Sequence, residues 1–302
     1  MGEGEIAGER GNYLQNVTAK IKKDLAVGNP VVGTMFIEKE GIDRLDDPLA
    51  LAKKLGYRFV IIDCEHQLYN PETLAGYAKR AHQVGISIWI RPAQLNETPI
   101  SRYADRGFSG FLVANAISRI RLSKIIDQAY FHPIVDDRAY IRRGYSIGPL
   151  LLDGQRFENF AEEIDYVNRN MIVVVQTEHP RGIVNLEEML SREGVDGSVI
   201  GMNDLSINLA RLSKRLEVLE KPKDEMYKDE GLKRAFQDIA AVSEKTGKPA
   251  GVHIVRVNQL KLIRLFVDEL SYRLMVLGTE ANFFDERMLK AKEYIESKNK
   301  RL

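Results

Sequence analysis

Ionisable side chains crowd the end of an apolar run early in this sequence. The segment RFVIIDCEH places Asp63, Glu65 and His66 within four residues, directly after the apolar letters FVII. A carboxylate three residues from a histidine can fix the imidazole tautomer and raise its basicity. Asp63 and His66 are therefore a candidate proton-transfer pair; the alternative is that the strand simply emerges into water at this point.

Other apolar runs end on groups suited to bind an anion or a cation. Arg91 follows the letters SIWI, and a guanidinium there suits a carboxylate or a developing oxyanion. Glu178 follows MIVVVQT, and Asp204 follows VIGMN. Two carboxylates at the ends of neighbouring parallel strands can converge on one cation, and an all-oxygen pair suits Mg²⁺ or Mn²⁺. Each residue taken alone could equally be an ion-pair partner or a helix cap.

The elements that must position these residues alternate regularly along the chain. Eight strand-like apolar runs are predicted over 31–37, 58–64, 86–92, 108–115, 171–178, 195–206, 249–255 and 272–280, with helical segments between them. The runs are apolar on both faces, which is typical of buried parallel strands with helical crossovers. The sequence therefore predicts an α/β fold, a single (βα)8 TIM barrel over 31–302 with an N-terminal extension (an arm or helix, 1–30) and a long insertion after strand four, roughly 131–170.

Helix boundaries and glycines support this interpretation. Helices are predicted to begin at Asp47-Pro48, Asn70-Pro71 and Thr98-Pro99, since Asp, Asn or Thr caps a helix and Pro suits its first position. Gly201, before the segment MND, leaves free backbone N–H groups at the barrel mouth, with Asn203 or Asp204 as an alternative helix cap. Because barrel enzymes hold their chemistry at the carboxyl ends of the strands, the polar residues above should meet there.

Composition excludes several classes of protein. Lys and Arg number 44 against 43 Asp and Glu, so no electrostatic argument favours nucleic acid or a membrane surface as a partner. The single cysteine, Cys64, excludes an internal disulfide and fits a reducing cytoplasm. The first residues contain no secretory signal, and no apolar run approaches the roughly 20 residues that span a bilayer. We therefore expect a soluble cytoplasmic protein.

Four motifs resemble, in order and spacing, those of the HpcH/HpaI aldolase family, the metal-dependent pyruvate aldolases of the citrate-lyase and phosphoenolpyruvate-utilising group. They are IIDCEH for D-x-E-H, IRP for V-R-P, VQTE for Q-x-E, and VDGSVIGMNDLS for D-G-x-x-I-G-x-x-D-L-S. ISRYADRG also resembles a family segment with an Asp before Gly, here Asp105. The resemblance spans roughly 31–292, with Met202 standing where the family commonly has Pro.

The resemblance implies a role for each residue. Glu178 and Asp204 would ligate a divalent cation, Mg²⁺ or Mn²⁺. Gln176, Gly201, Met202 and Asn203 would hold a bound 2-oxo acid. Arg91 would stabilise the enolate, His66 oriented by Asp63 would act as acid and base through water, and Asp105 would assist at the aldehyde end. Similar proteins are homo-oligomers, often hexamers or another multiple of dimers, with an exchanged C-terminal helix.

The expected function is a metal-dependent carbon–carbon lyase, an aldolase that cleaves a 4-hydroxy-2-oxo acid to pyruvate, or a close 2-oxo acid, and an aldehyde through a metal-stabilised enolate. No lysine stands at a strand end for a Schiff base, which argues against the imine route. Two alternatives stay open. One is an acyl-CoA lyase of the malyl-CoA or citryl-CoA type, given the basic residues of 119–124 and 138–143; the other is a non-catalytic ligand-binding relative, given Met202 and the long insertion.

Overall fold

Eight parallel strands close into a barrel in chain order, β1 to β8. The computed structural model describes residues 17–37, 45–93, 100–131, 143–144, 146, 157–221, 225–255 and 260–299. The strands are β1 (Val31–Phe36), β2 (Phe59–Asp63), β3 (Ser87–Arg91), β4 (Gly110–Val113), β5 (Ile172–Thr177), β6 (Gly197–Gly201), β7 (Ala250–Ile254) and β8 (Leu274–Thr279). The predicted (βα)8 barrel is confirmed.

Helices follow the strands in the described part of the chain. They are α1 (Val17–Ala26), α2 (Pro48–Lys54), α3 (Pro71–Val84), α4 (Ile100–Asp105), α5 (Arg119–Ala129), α6 (Phe160–Arg169), α7 (Pro180–Val184), α8 (Leu186–Leu190), α9 (Met202–Ser213), α10 (Glu230–Thr246), α11 (Leu260–Arg264) and α12 (Glu286–Glu296). None of the described helices is long and apolar enough to cross a membrane.

Two of the predicted helix starts are confirmed by their caps. The side chain of Asp47 accepts a hydrogen bond from the backbone of Ala50, and Asn70 accepts one from Thr73. The third start, Thr98-Pro99, lies outside the described residues. At Asp47-Pro48 and Asn70-Pro71 the helix therefore begins at the proline.

The prediction for the end of strand six needs correction. Strand β6 ends at Gly201, and Met202, Asn203 and Asp204 form the first turn of α9 instead of extending the strand. The helix cap is Gly201 itself, with no side-chain cap bond, so neither Asn203 nor Asp204 caps the helix. The physical reason is burial, because Leu205 begins the buried face of α9. Between β5 and β6, the predicted helical segment forms two short helices, α7 and α8.

Alternation along each strand separates two apolar cores. One core fills the barrel interior and the other lies between the barrel and its helices. The interior core comprises Ile21, Leu25, Val31, Met35, Phe59, Ile61, Trp89, Leu112, Ile172, Val174, Val199, Leu274 and Val276. Ile62, Val175, Ile200 and Val252 belong to the outer core. Neighbouring residues of a strand therefore face opposite sides, which decides which polar residues can reach the barrel mouth.

Helix α1 closes the barrel end opposite that mouth. Its Ile21 and Leu25 join the interior core. The hydroxyl of Thr18 lies 2.7 Å from that of Ser87 at the start of β3, and Lys22 pairs with Asp196 at 2.9 Å. Helix α1 thus contributes to the core of the barrel, although it precedes residue 31. The division into an arm over 1–30 and a barrel over 31–302 stays a prediction.

The last helix, α12, packs on the barrel of its own chain. Met288, Ala291 and Ile295 are buried in the outer core. The amine of buried Lys292 pairs with Glu296 at 2.7 Å. Exchange of this helix between subunits would have to reproduce the same contacts on a second copy, as in other exchanged elements.

Candidate active site

A buried ion pair joins the ends of β2 and β3. Asp63 and Arg91 are register partners, 1% and 7% exposed respectively. Arg91 Nε donates to Asp63 Oδ1 at 2.8 Å, and an Arg91 terminal amine donates to Oδ2 at 2.6 Å. Burial alone would raise the pKa of Asp63, but the hydrogen bonds and charge of Arg91 outweigh it, so the pKa lies below its ordinary value. Two parallel hydrogen bonds fix the guanidinium in one orientation.

His66 contacts both members of this pair. Its Nδ1 lies 3.1 Å from Asp63 Oδ2 and 2.9 Å from a terminal amine of Arg91. These two contacts require opposite tautomers, because Nδ1 must carry a proton to donate to Asp63 and must lack one to accept from Arg91. The ring is largely exposed, so it can exchange a proton at Nε2 while Nδ1 keeps a partner in either state.

Glu178 is held on both carboxylate oxygens. Oε1 accepts the backbone N–H of Asn115 at 2.6 Å, and Oε2 accepts the side-chain amide of Gln176 at 2.7 Å. Asn115 has φ of 49°, a left-handed conformation that Asn adopts more readily than most residues. The side chain of Asn208 on α9 donates to the backbone oxygen of Glu178 at 2.8 Å. The carboxylate is therefore oriented before any ligand arrives.

Acidic groups outnumber basic ones around Glu178. Burial raises the pKa of Glu178 to about 7, and the charges of Glu65 and Asp204 add to this while the Asn115 N–H and Arg91 oppose it. Burial also raises the pKa of Glu65, whose Oε2 lies 3.2 Å from Arg91. The carboxylates of Asp63, Glu65 and Glu178 thus share the buried guanidinium of Arg91, and a divalent cation would relieve the excess negative charge.

Two sets of acidic side chains at the barrel mouth could hold a divalent cation: Glu178 with Asp204, and the group around Asp63. Asp63, Glu65 and His66 offer ligand atoms within 4.8 Å of one another. However, Arg91 already donates to both oxygens of Asp63, and a cation there would lie beside the guanidinium. Glu178 has two oxygens oriented by neutral N–H donors, as metal-binding carboxylates usually do. Asp204 is exposed in the first turn of α9 and acts electrostatically on Glu178.

Gly201 allows β5 and β6 to approach at this point. A Cβ atom on Gly201 would lie 2.7 Å from the amide nitrogen of Gln176 and 2.8 Å from Glu178 Oε2. No side chain fits there without displacing these groups. The backbone N–H groups at the start of α9 are therefore next to the carboxylate of Glu178, in a position suited to bind an anion.

The structure brings together most, but not all, of the predicted site residues. Asp63, His66, Arg91, Gln176, Glu178, Gly201 and the first turn of α9 with Met202, Asn203 and Asp204 meet at the carboxyl ends of the strands. Asp105 does not join them. It is the last residue of α4, near the start of β4, and pairs with buried Arg143 at 3.1 Å. Arg143 also donates to Ala129, the last residue of α5, so both lie at the opposite end of the barrel.

Several contributing residues had no clear signal in the sequence. Asn115 acts through its backbone N–H, and Asn208 lies two residues beyond the motif that contains Asp204. An Asn at a strand end, where left-handed φ is common, is the only hint at Asn115. His179, which follows Glu178 in the chain, is the cap of α7 and accepts a hydrogen bond from the backbone of Arg181.

Comparison with known proteins agrees with this geometry. The family model for HpcH/HpaI aldolase/citrate lyase matches residues 49–256, a range that contains all the candidate residues. The chain belongs to this family. A solved HpcH/HpaI aldolase from Desulfitobacterium hafniense superposes with a TM-score of 0.70 at 20% identity, over 93% of this chain and 99% of that one. At that identity the likeness shows the fold alone.

Two relatives match part of the chain at higher sequence identity. The chain is 28% identical to a hydroxypyruvate/pyruvate aldolase of Pseudomonas aeruginosa, over 54% of this chain and 58% of that protein. It is 25% identical to a 5-keto-4-deoxy-D-glucarate aldolase of Klebsiella pneumoniae, over 65% and 69%. The chain thus spans little more than half the length of the first of these relatives.

Binding of Mg²⁺ should weaken sharply in acid. With a pKa of about 7, Glu178 is mostly protonated at pH 5.5, so its affinity for the ion should fall by about 30-fold relative to pH 8. In metal-free protein the raised pKa has the opposite effect on stability, which falls as pH rises from 4.5 through 7. Calorimetric Mg²⁺ titrations and thermal melts at both pH values measure the two trends.

The matched control for this pH dependence is Glu188→Gln, because Glu188 is an exposed carboxylate on α8. Glu178→Gln should flatten the pH dependence of metal-free stability between pH 5.5 and 8, whereas Glu188→Gln should leave it as in wild type. Equal Mg²⁺ affinity at both pH values would contradict the assignment of Glu178 as a ligand.

Proposed function

We propose that this chain is a divalent-metal-dependent aldolase. It cleaves a 4-hydroxy-2-oxo acid into pyruvate, or a close 2-oxo acid, and an aldehyde. The observation that carries this proposal is the junction of two groups at the barrel mouth: the fixed Arg91–Asp63–His66 cluster borders the carboxylates of Glu178 and Asp204. The two relatives, a hydroxypyruvate/pyruvate aldolase and a 5-keto-4-deoxy-D-glucarate aldolase, support it.

Glu178 and Asp204 would hold the cation. When bound, it would act as a Lewis acid towards the carboxylate and 2-oxo oxygens of the substrate. Glu178 presents its carboxylate in one orientation because Asn115 and Gln176 donate to its two oxygens. The residues of the chain then supply the donors and the proton transfer.

The 2-oxo acid would bind between Gln176 and the start of α9. The side-chain amide of Gln176 donates one N–H to Glu178, so its second N–H can donate to a substrate oxygen. The N–H groups at the start of α9, near Gly201, Met202 and Asn203, suit a carboxylate. This binding is uniform; it orients the substrate and does not by itself favour the transition state.

His66 would move the proton. Its Nε2 takes the proton of the C4 hydroxyl, through water, while Nδ1–H donates to Asp63 and stabilises the imidazolium. The C3–C4 bond breaks, the C4 oxygen becomes the aldehyde oxygen, and the electron pair moves into an enolate, whose C3 then takes the proton from the imidazolium, through water, to give pyruvate. Arg91 donates towards the enolate oxygen, whose charge grows in the transition state, and Asp63 holds that guanidinium in place.

The remaining predictions on assembly belong to this proposal. In one chain Asp105 lies at the far end of the barrel, so a role at the aldehyde would require a second copy to bring it to the mouth. A homo-oligomer with an exchanged terminal helix would be consistent with that role; sedimentation would measure its size. The cytoplasmic location also stays a prediction. The acyl-CoA alternative loses support, since Arg143 is buried against Asp105.

Pyruvate release from a panel of 4-hydroxy-2-oxo acids tests the proposed function. The panel should include sugar-acid and dicarboxylic-acid types, each measured after chelation with EDTA and after addition of Mg²⁺ or Mn²⁺. We expect turnover only with added metal. Failure of wild-type protein to cleave any compound with either metal would overturn the proposal, and activity that survives chelation would overturn the metal mechanism.

Replacing His66 by Ala is expected to lower kcat by about 10²- to 10⁴-fold, the usual contribution of a general acid–base. Stability should change little, because the ring is largely exposed. Steady-state kinetics and a thermal melt measure both quantities. Asp165→Asn, in an exposed ion pair on α6, is the control. Wild-type kcat in the His66 variant would remove this residue from the mechanism.

A further inference from the structure

His253 is an inward-facing residue of β7 that the mechanism above does not use. Its neighbours Val252 and Ile254 belong to the outer core, so the side chain of His253 points into the barrel. Its register partners are Gly201 on β6 and Val276 on β8, and Val276 belongs to the interior core. His253 therefore lies level with Gly201, next to the residues of the candidate site.

The hydrogen bonding of the ring determines its tautomer. The ring is hydrogen-bonded to the backbone of Gly278, and Nε2 has no partner among the described residues, so the bonded atom is Nδ1, which donates to the carbonyl oxygen. Burial and the charge of Arg91 lower the pKa of His253 to about 4. The ring is therefore neutral at working pH, and Nε2 presents a lone pair that meets neither solvent nor, in the described residues, a donor.

An unpaired buried acceptor is unfavourable, and an apolar side chain of similar size would avoid it. Such a group in a site therefore requires an explanation. Strands β3 and β7 are four positions apart in a closed barrel of eight, so Arg91 and His253 approach from opposite walls. Arg91 is also the charge that acts most strongly on His253.

Arg91 has one weakly held amine. Its Nε and one terminal amine are fixed on Asp63 by bonds of 2.8 and 2.6 Å. The other terminal amine has longer contacts, 3.4 Å to Gln176 Oε1 and 3.2 Å to Glu65 Oε2. A substrate that draws Gln176 away would leave this amine with a single long contact, to Glu65.

We propose that His253 is a positioning residue for Arg91, and that its Nε2 accepts a hydrogen bond from the weakly held amine when a bound 2-oxo acid engages Gln176. The identity of that ligand rests on the proposed function. The hydrogen bond keeps the guanidinium directed at the reacting oxygen during the step in which charge develops. His253 thus contributes to catalysis through Arg91. In the free protein its Nε2 has no partner among the described residues, and it becomes the acceptor when the substrate binds.

Two variants separate this role from simple filling of the core. His253→Leu keeps the volume and removes the acceptor, whereas His253→Gln keeps an acceptor on a flexible chain. In the metal-free protein we expect His253→Leu to change Tm by less than about 4 °C, since loss of the Nδ1–H bond to Gly278 offsets removal of the unpaired acceptor. In the loaded enzyme it should lower kcat about 10-fold with a smaller change in KM. His253→Gln should keep kcat within about threefold of wild type.

A spectroscopic measurement is independent of turnover. In protein labelled with ¹⁵N-histidine and loaded with Mg²⁺, added pyruvate should shift the Nε2 resonance of His253 upfield, as expected when a bare ring nitrogen accepts a hydrogen bond. His253→Leu identifies that resonance by its loss. If wild type cleaves no 4-hydroxy-2-oxo acid, the proposed function fails, and the pyruvate-dependent shift still decides the role of His253.

Three results would overturn this role. One is an unchanged kcat in His253→Leu, and another is a Tm in that variant lower by more than about 4 °C, which would make the ring a core filler. The third is an Nε2 resonance that does not move under pyruvate concentrations that saturate the protein.

Discussion

Replacing Glu178 by Gln is expected to lower metal-dependent kcat/KM by at least about 10³-fold, because a catalytic cation supplies several kcal/mol of transition-state stabilisation. Gln has nearly the same shape and can still accept the N–H of Asn115, so the loss should come from the missing charge. Steady-state kinetics with saturating Mg²⁺, together with calorimetric metal titration, measure the effect.

The same variant should behave oppositely without metal. Glu178 is 4% exposed and its pKa is raised from 4.5 to about 7, so its charge destabilises the metal-free protein at pH 8 by an amount on the order of 3 kcal/mol. Glu178→Gln should therefore melt higher than wild type in EDTA and lose the stabilisation that Mg²⁺ provides. Glu188→Gln, at an exposed position on α8, should change neither quantity. A Glu178→Gln variant that Mg²⁺ still stabilises would contradict the metal assignment.

Arg91→Leu is expected to lower both stability and activity. It leaves the carboxylate of Asp63 buried without its partner, and breaking a buried pair in this way destabilises proteins by about 3–5 kcal/mol. It also removes the donor to the enolate oxygen, which should lower kcat by about 10²- to 10³-fold. Denaturant unfolding and single-turnover pyruvate release measure the two losses separately.

Arg91→Lys distinguishes charge from geometry. Lysine keeps the positive charge but cannot donate to both oxygens of Asp63, so we expect most of the stability to remain and kcat to stay reduced by about 10²-fold. Arg169→Lys, in the exposed pair with Asp165, is the matched control and should resemble wild type. Full activity in Arg91→Lys would show that only the charge at this position matters.

The barrel could be predicted from the sequence because each of its parts leaves a local signal. Strands that are buried on both faces are apolar throughout, and Asp47-Pro48 and Asn70-Pro71 begin helices through their own side chains and rings. The boundary at Gly201 was the harder case. A strand that passes into a helix with no intervening loop has no turn signal, and only the burial of Leu205 decides where α9 begins.

The candidate site could be predicted in part for the same reason. Residues such as Asp63, Arg91 and Glu178 directly follow apolar strands, and parallel strands bring their ends together at one mouth. Asp105 stands in an equally suggestive motif. However, it is the last residue of a helix and does not follow a strand, so it lies at the other end of the barrel with Arg143. Motif resemblance does not show at which end of a βα unit a residue lies in one chain.

The sequence by itself thus determined the fold class, the family and the residue types at the strand ends, because these depend on periodicity and on neighbours in the chain. The tertiary structure decided how those residues are paired and charged. The contact of Asn115 with Glu178, the raised pKa of Glu178 and the position of His253, whose Nε2 has no partner in the part of the chain that the structure describes, each depend on groups far apart in the sequence. Burial and approach across a closed barrel create such effects, and no local pattern records them.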